Sequence, residues 1–178
     1  SLKGLFLGSV TRGVLARTKV PMLIVLSDLI PKKDGMRVGI AVDGSPQSKA
    51  VVRYILSNLD FFGKDSKFYL IHVTSDISLT LLAGVSTGAP QPLKGTDLEA
   101  IKEETYREAT EDIVPMLDKA GIEYEKVCVE GTPGDVLAKV AKKKKLNLMV
   151  MGTHGYGRFK SAVLGSTAMR LLAKGEVP

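Results

Sequence analysis

One cysteine and two histidines leave this sequence short of the side chains from which disulfides, metal centres and most nucleophilic sites are built. Cys128 has no second cysteine to bond, so an internal disulfide is excluded and a reducing, cytoplasmic setting is expected. It sits in the alternating stretch 124–129, where a small core residue is the ordinary outcome and a reactive thiol the exception. His72 and His154 are far apart, and no set of Asp, Glu and Cys stands at metal-ligand spacing, so no metal site is expected. Long apolar runs are missing as well. The segment Leu2 to Val10 is interrupted by Lys3 and followed by Arg12 and Arg17, too short to cross a bilayer and without a signal-peptide layout.

What is present is the composition of a globular protein. With 44% hydrophobic and 25% charged residues, neither disorder nor a fibre is indicated, and 178 residues suffice for one domain with a real core and an attached fragment. The formal charge of +6 raises the question of nucleic acid. Much of the excess lies in Lys142-Lys143-Lys144-Lys145 at the end of an expected helix, where positive charge complements the dipole. No aromatic residues alternate with these lysines and no recognition-helix or zinc-finger pattern accompanies them, so a specific nucleic-acid site is not expected.

Residues 2–21 align without gaps to residues 159–178, with Lys, Leu-Gly-Ser, Leu-Ala and Val-Pro at matched positions. In the first copy Val20-Pro21 is followed by the strand-like run Met22-Leu23-Ile24-Val25-Leu26. The expectation is that residues 1–27 are the terminal helix and strand of a preceding domain, 28–36 a linker, and 37–178 a domain lacking its final strand. A parallel-sheet edge without its neighbour exposes unpaired backbone groups, which residues 22–26 could cover in their own molecule or across a partner.

Along the main domain, strands and helices alternate. Arg37 to Val42 reads as a strand, closed by Asp43-Gly44-Ser45-Pro46, with Ser45 as N-cap and Pro46 at the first helical position. Further strands are expected at 67–73, 122–130 and 146–151. Helices are expected from Pro46 through Leu59, over 97–119 with Pro115 bending or dividing it, after Asp135, and from a Ser166 cap to Ala173. This order indicates an α/β fold: an open, mostly parallel sheet covered by helices on both faces. Ligands in such folds bind beyond the carboxyl ends of the strands, where the chain order reverses.

The densest signal lies after the strand at 146–151. Gly152-Thr153-His154-Gly155, nine residues, then Gly165-Ser166 places glycines where a strand gives way to a helix, so main-chain N–H groups can approach an oxyanion closely. Lys160 is not in a Gly-Lys-Ser/Thr unit, which excludes a Walker loop, and Asp43-Gly44-Ser45 has one glycine, which excludes the compact dinucleotide fingerprint. A mononucleotide is the ligand that remains. Asp43 would accept from a ribose hydroxyl or an adenine amine, main-chain groups at Val73 would meet the base edge, and Gly152, Gly155, Gly165 and Ser166 would surround phosphates. The competing reading has the glycines closing a tight turn and Asp43 capping the first helix. His154 reads as a surface or ligand-adjacent loop residue, and no Gly-x-Ser-x-Gly elbow is present, so a dedicated hydrolase is not expected.

The spaced glycine motif, with Ala41-Val42-Asp43-Gly44-Ser45 and Asn147-Leu148-Met149-Val150-Met151-Gly152, resembles the nucleotide-binding subgroup of the universal stress protein family over residues 37–178. That resemblance implies a five-stranded, flavodoxin-like sheet of the adenine nucleotide alpha hydrolase type, ATP with Mg2+ as ligand, and a regulatory role in the stress response. It places Asp43 by the ribose, Ala41, Val42 and Val73 around adenine, and Gly152, Gly155, Gly165, Ser166 and Thr167 along ribose and phosphates. It also implies a homo-oligomer or pairing with a sister domain through the final strand. Asn147 departs from the acidic residue common at its position. The alternative is a nucleotide-independent dimerisation or interaction module of the same fold.

Overall fold

A computed structural model describes residues 14, 21–25, 35–74, 95–152 and 165–175. Its four strands are β1 (Arg37–Val42), β2 (Lys67–Thr74), β3 (Tyr124–Glu130) and β4 (Leu148–Met151). They form one sheet in the order β3-β2-β1-β4, every neighbouring pair parallel. The helices are α1 (Pro46–Ser57), α2 (Leu59–Phe62), α3 (Gly95–Thr110), α4 (Val114–Lys119), α5 (Pro133–Lys144) and α6 (Ser166–Lys174). The α/β class is as the sequence indicates. The strand count among the described residues is four rather than five, because residues 21–25 lie outside any ladder.

Period-two patterning sends β1 to both faces. Val38, Ile40 and Val42 point to one side, where Leu70 and Leu148 join them under Val52 and Ile55 of α1, Phe62 of α2, Tyr106 of α3 and Leu117 of α4. On the opposite side Tyr69, Ile71, Val127 and Met149 pack against Leu137, Ala138 and Ala141 of α5 and Leu171 of α6. Gly39 makes that second layer close. A Cβ there would stand 2.7 Å from Leu146 Cδ1, 2.9 Å from Met149 Sδ and 3.0 Å from Ile71 Cδ1.

Local chemistry sets the element ends. Ser45 is the N-cap of α1, its hydroxyl accepting from Ser48 N–H at 3.4 Å, and Pro46 follows where no helical hydrogen bond is lost. The helix expected over 97–119, bent or divided by Pro115, is divided, with the break at 111–113. Pro115 has no N–H to give and its ring opposes the carbonyl four residues back, so the chain restarts as α4 with Pro115 in its first turn and buried Ile113 as a plug. α5 ends on Lys142, Lys143 and Lys144, with Lys145 left-handed at φ 52° as its C-cap. Among the described residues no helix is long and apolar enough to cross a membrane.

Candidate functional site

The chain order reverses at β1, which has β2 on one side and β4 on the other. The ladder with β2 ends at Val42 opposite His72, and the ladder with β4 at Ala41 opposite Met151. β2 runs on through Val73 and Thr74, which still pair with Val129 and Glu130 of β3. No β1 residue pairs with Val73 or Thr74, so β2 overhangs the end of β1 by two residues. Asp43 follows β1 at this end of the sheet and Gly152 follows β4. This is the switch point at which parallel sheets bind ligands.

Asp43 is exposed, and its position is set by the turn it closes. Its Oδ1 accepts from Ser45 N–H at 3.0 Å and from Ser48 Oγ at 2.8 Å, while its own N–H donates to Ser48 Oγ at 3.0 Å. The cap of α1 is Ser45, not Asp43; Asp43 braces the capping loop from outside, and Gly44 supplies the φ of 77° that lets the loop double back. Val42 is a core residue, 5% exposed, whose carbonyl accepts from His72 Nδ1 at 3.0 Å. Its side chain packs in the core layer under α1.

Ala41 and Val73 are both half-buried on the α5 side, together with Val129, Val136 and Met151. The last three escaped the sequence reading. The signal was available in the register, since residues level with Ala41 and Val73 on neighbouring strands share their face, but register is not written in one strand. These half-buried apolar groups at the strand ends are the kind of lining that accepts a planar base.

Gly152 is half-buried at the end of β4, and Gly165 opens α6. One expectation is corrected here. Ser166 is not the cap of α6 but its first helical residue; Gly165 is the N-cap, at φ −56° and ψ 147°, with no side-chain capping bond. Glycine at this position leaves the first-turn N–H groups without a side-chain acceptor, as an anion site requires. Thr167 is half-buried beside α5: its carbonyl oxygen lies 3.0 Å from where a Cβ on Gly134 would be. Arg170 Nη1 and Lys174 Nζ bond Asp135 at 2.8 and 3.2 Å, and these hydrogen bonds, Arg170 first, hold the Asp135 carboxyl below the usual aspartate range. α5 therefore fixes where α6 starts. Gly155 and His154 lie outside the described residues, as do residues 28–34 of the expected linker and most of the first repeat copy; Met36, placed at the linker's end by the sequence, is instead a core residue, 1% exposed.

Cys128 is half-buried, its Sγ 3.6 Å from the Lys102 carbonyl oxygen, and burial pushes its thiol up. That is the opposite of the activated thiolate a reactive cysteine needs. Asn147 does structural work: its Oδ1 accepts from Arg37 N–H at 2.9 Å and its N–H donates to Arg37 O at 2.8 Å. A carboxylate could accept in the same way, so amide for acid is a mild change.

Comparison with known proteins gives a consistent result. Residues 36–178 match the model of the universal stress protein family. The chain is 26% identical over 156 residues to universal stress protein MJ0531 of Methanocaldococcus jannaschii, covering 86% of each. It is 25% identical over 175 residues to a universal stress protein of Mycobacterium tuberculosis and spans about half of that protein, 54%. Among solved structures, a universal stress protein from Archaeoglobus fulgidus superposes with a TM-score of 0.65 at 24% identity, covering 99% of this chain and 55% of that one. A universal stress protein in complex with cAMP superposes with a TM-score of 0.51 at 20% identity, covering 80% and 94%.

Proposed function

The chain belongs to the universal stress protein family, and from that membership we propose that it is a regulatory module of the stress response whose ligand is an adenine nucleotide, ATP with Mg2+. What supports the reading is the strand order, in which Asp43 follows β1 and Gly152 follows β4 where the chain order reverses, beside the end of β2 that carries Val73; α6 opens without a side-chain cap. In this reading adenine lies against Ala41 and Val73, with Val42 contributing main chain only, and the Asp43 carboxylate meets the ribose. Main-chain N–H groups from Gly152, Gly155, Gly165, Ser166 and Thr167 line the phosphates. The relative in complex with cAMP supports an adenine nucleotide as the class of ligand. The nucleotide supplies a phosphate tail whose presence the module reports to a partner, in a reducing cytoplasmic compartment.

Calorimetry with Mg-ATP tests this. Saturable binding is expected at or below millimolar nucleotide, and its absence would remove the assignment. Gly165→Val puts a branched side chain at the cap of α6, against the phosphate path. It should weaken binding by about tenfold or more, roughly the loss of one charge-assisted hydrogen bond. Unchanged affinity would dismiss this site.

A second reading has a specific observation in its favour: Asp43 Oδ1 and the Val42 carbonyl are already engaged within the protein. There the fold is a nucleotide-independent dimerisation or interaction module. Nucleotide released from freshly purified protein on denaturation distinguishes the two. Under either reading we assign pairing of copies, or of sister domains, to the β4 edge. Ile24 packs there with Met151, Ala168, Met169 and Leu172. A relative nearly twice as long, matched across 97% of this chain, supports a tandem arrangement with residues 1–27 belonging to the preceding domain.

A further inference from the structure

We propose that the opposite end of the sheet, where the strands begin, carries a second binding site: an anion-recognition patch on Arg37, Lys144 and Lys145 that takes the carboxylates of an acidic polypeptide segment. Arg37 is the first residue of β1 and is pinned at both backbone polar groups by Asn147. Its side chain turns onto Tyr69, donating from Nη2 to the phenol oxygen at 2.9 Å with the guanidinium carbon 5.8 Å from the ring centroid. Lys144 Nζ stands 5.8 Å from the same centroid. Tyr69 is 3% exposed, so the ring is a fixed buttress between the two cations.

Among the described residues nothing balances the charge of Arg37. Its guanidinium is half-buried, its one partner among them is a neutral phenol, and Nε is buried with no acceptor. Among the described residues it pairs with no carboxylate. A partly desolvated cation without a counter-ion is costly, and an incoming carboxylate at the outer Nη edge would relieve it with the fork geometry that guanidinium provides. The neighbourhood adds to the field. Lys67 is the register partner of Arg37 on β2, and Lys145 is exposed beside Lys144, whose acidic partner among the described residues is the exposed Glu125. The helix dipole accounts for Lys144 at the end of α5 but not for Arg37 or Lys67, which begin strands.

The class of partner follows from what surrounds these cations. Tyr69 is buried and offers no face for a base, and the large exposed aromatics among the described residues, Tyr54 and Phe61, belong to α1 and α2 on the other side of the sheet. Nucleic-acid surfaces combine a backbone-tracking cationic groove with such stacking faces. Here the cations gather at one helix end around one guanidinium, which suits a short run of carboxylates.

Fluorescence anisotropy of a fluorescein-labelled octaglutamate peptide, titrated with nucleotide-free protein at about 50 mM salt to limit screening, tests the site. Saturable binding should weaken about tenfold in Arg37→Gln and tighten about threefold in Glu125→Gln, which frees Lys144, as expected for charge-assisted bonds. Arg53→Gln, an exposed cation on α1, should change it little. Wild-type affinity in Arg37→Gln, or equal losses in Arg37→Gln and Arg53→Gln, would overturn the site. Tighter binding of a 20-base-pair DNA duplex with the same dependence on Arg37 would overturn the acidic-peptide assignment. If circular dichroism shows Arg37→Gln unfolded, Lys145→Gln decides: threefold weaker binding supports the patch, and no change refutes it.

Discussion

Two glycines show how much hangs on single residues. A Cβ on Gly39 would meet three side-chain ends, which can swing aside, whereas one on Gly134 would meet Arg170 Cβ at 2.6 Å and the Thr167 carbonyl at 3.0 Å, which belong to the body of α6. Gly134→Ala should therefore cost more than Gly39→Ala, about 1–3 kcal/mol as for other overpacked sites, measured by urea unfolding. The reverse order would mean that α6 is not seated on α5 as described. At this scale the sequence was readable where chemistry is local. Ser45 as a cap could be recognised from Pro46 beside it. Ser166 as a cap was wrong, because Gly165 and Ser166 are both good caps and only the backbone angles decide between them. The contact of Arg37 with Tyr69 was beyond reach, since the two meet across strands 32 positions apart.

Among the elements, the pairing of α5 with α6 is the contact that shapes the candidate site. Asp135 in the first turn of α5 holds Arg170 and Lys174 of α6, and its carboxyl is held low by those bonds. A group whose folded pKa is depressed contributes stability above its unfolded pKa and loses it as pH falls through the folded value. Asp135→Asn should therefore be less stable than wild type at pH 7, with the difference closing below about pH 4, the ordinary aspartate range. Denaturant midpoints at several pH values check this; a gap that does not narrow as the pH falls below the aspartate range would show that the bridge is not its source. The alternation of strand and helix was legible from apolar periodicity. The division at Pro115 was foreseen as one of two outcomes, and the choice fell to Ile113, which packs into the core at the break.

For the whole molecule, the β4 edge is where the open question lies. Beside it Met22, Leu23 and Val25 are 41%, 47% and 48% exposed, while Ile24 alone is tucked against α6. Apolar side chains next to a sheet edge favour association. Sedimentation at tens of micromolar should show a dimer that dissociates in the Leu23→Asp, Val25→Asp variant; a dimer that survives in the variant would move the pairing elsewhere, and a monomeric wild type would refute self-pairing.

By itself the sequence determined the α/β class, the places where the chain turns from strand to helix, and the glycines available to an oxyanion. These follow from side-chain period and from local backbone freedom, which act over a few residues. Only the tertiary structure decided the strand order β3-β2-β1-β4, the two-residue overhang of β2 past β1, and the isolation of Arg37 from any carboxylate among the described residues. Those depend on register between distant segments, which is fixed when both faces of the sheet are buried at once and cannot be set by either strand alone.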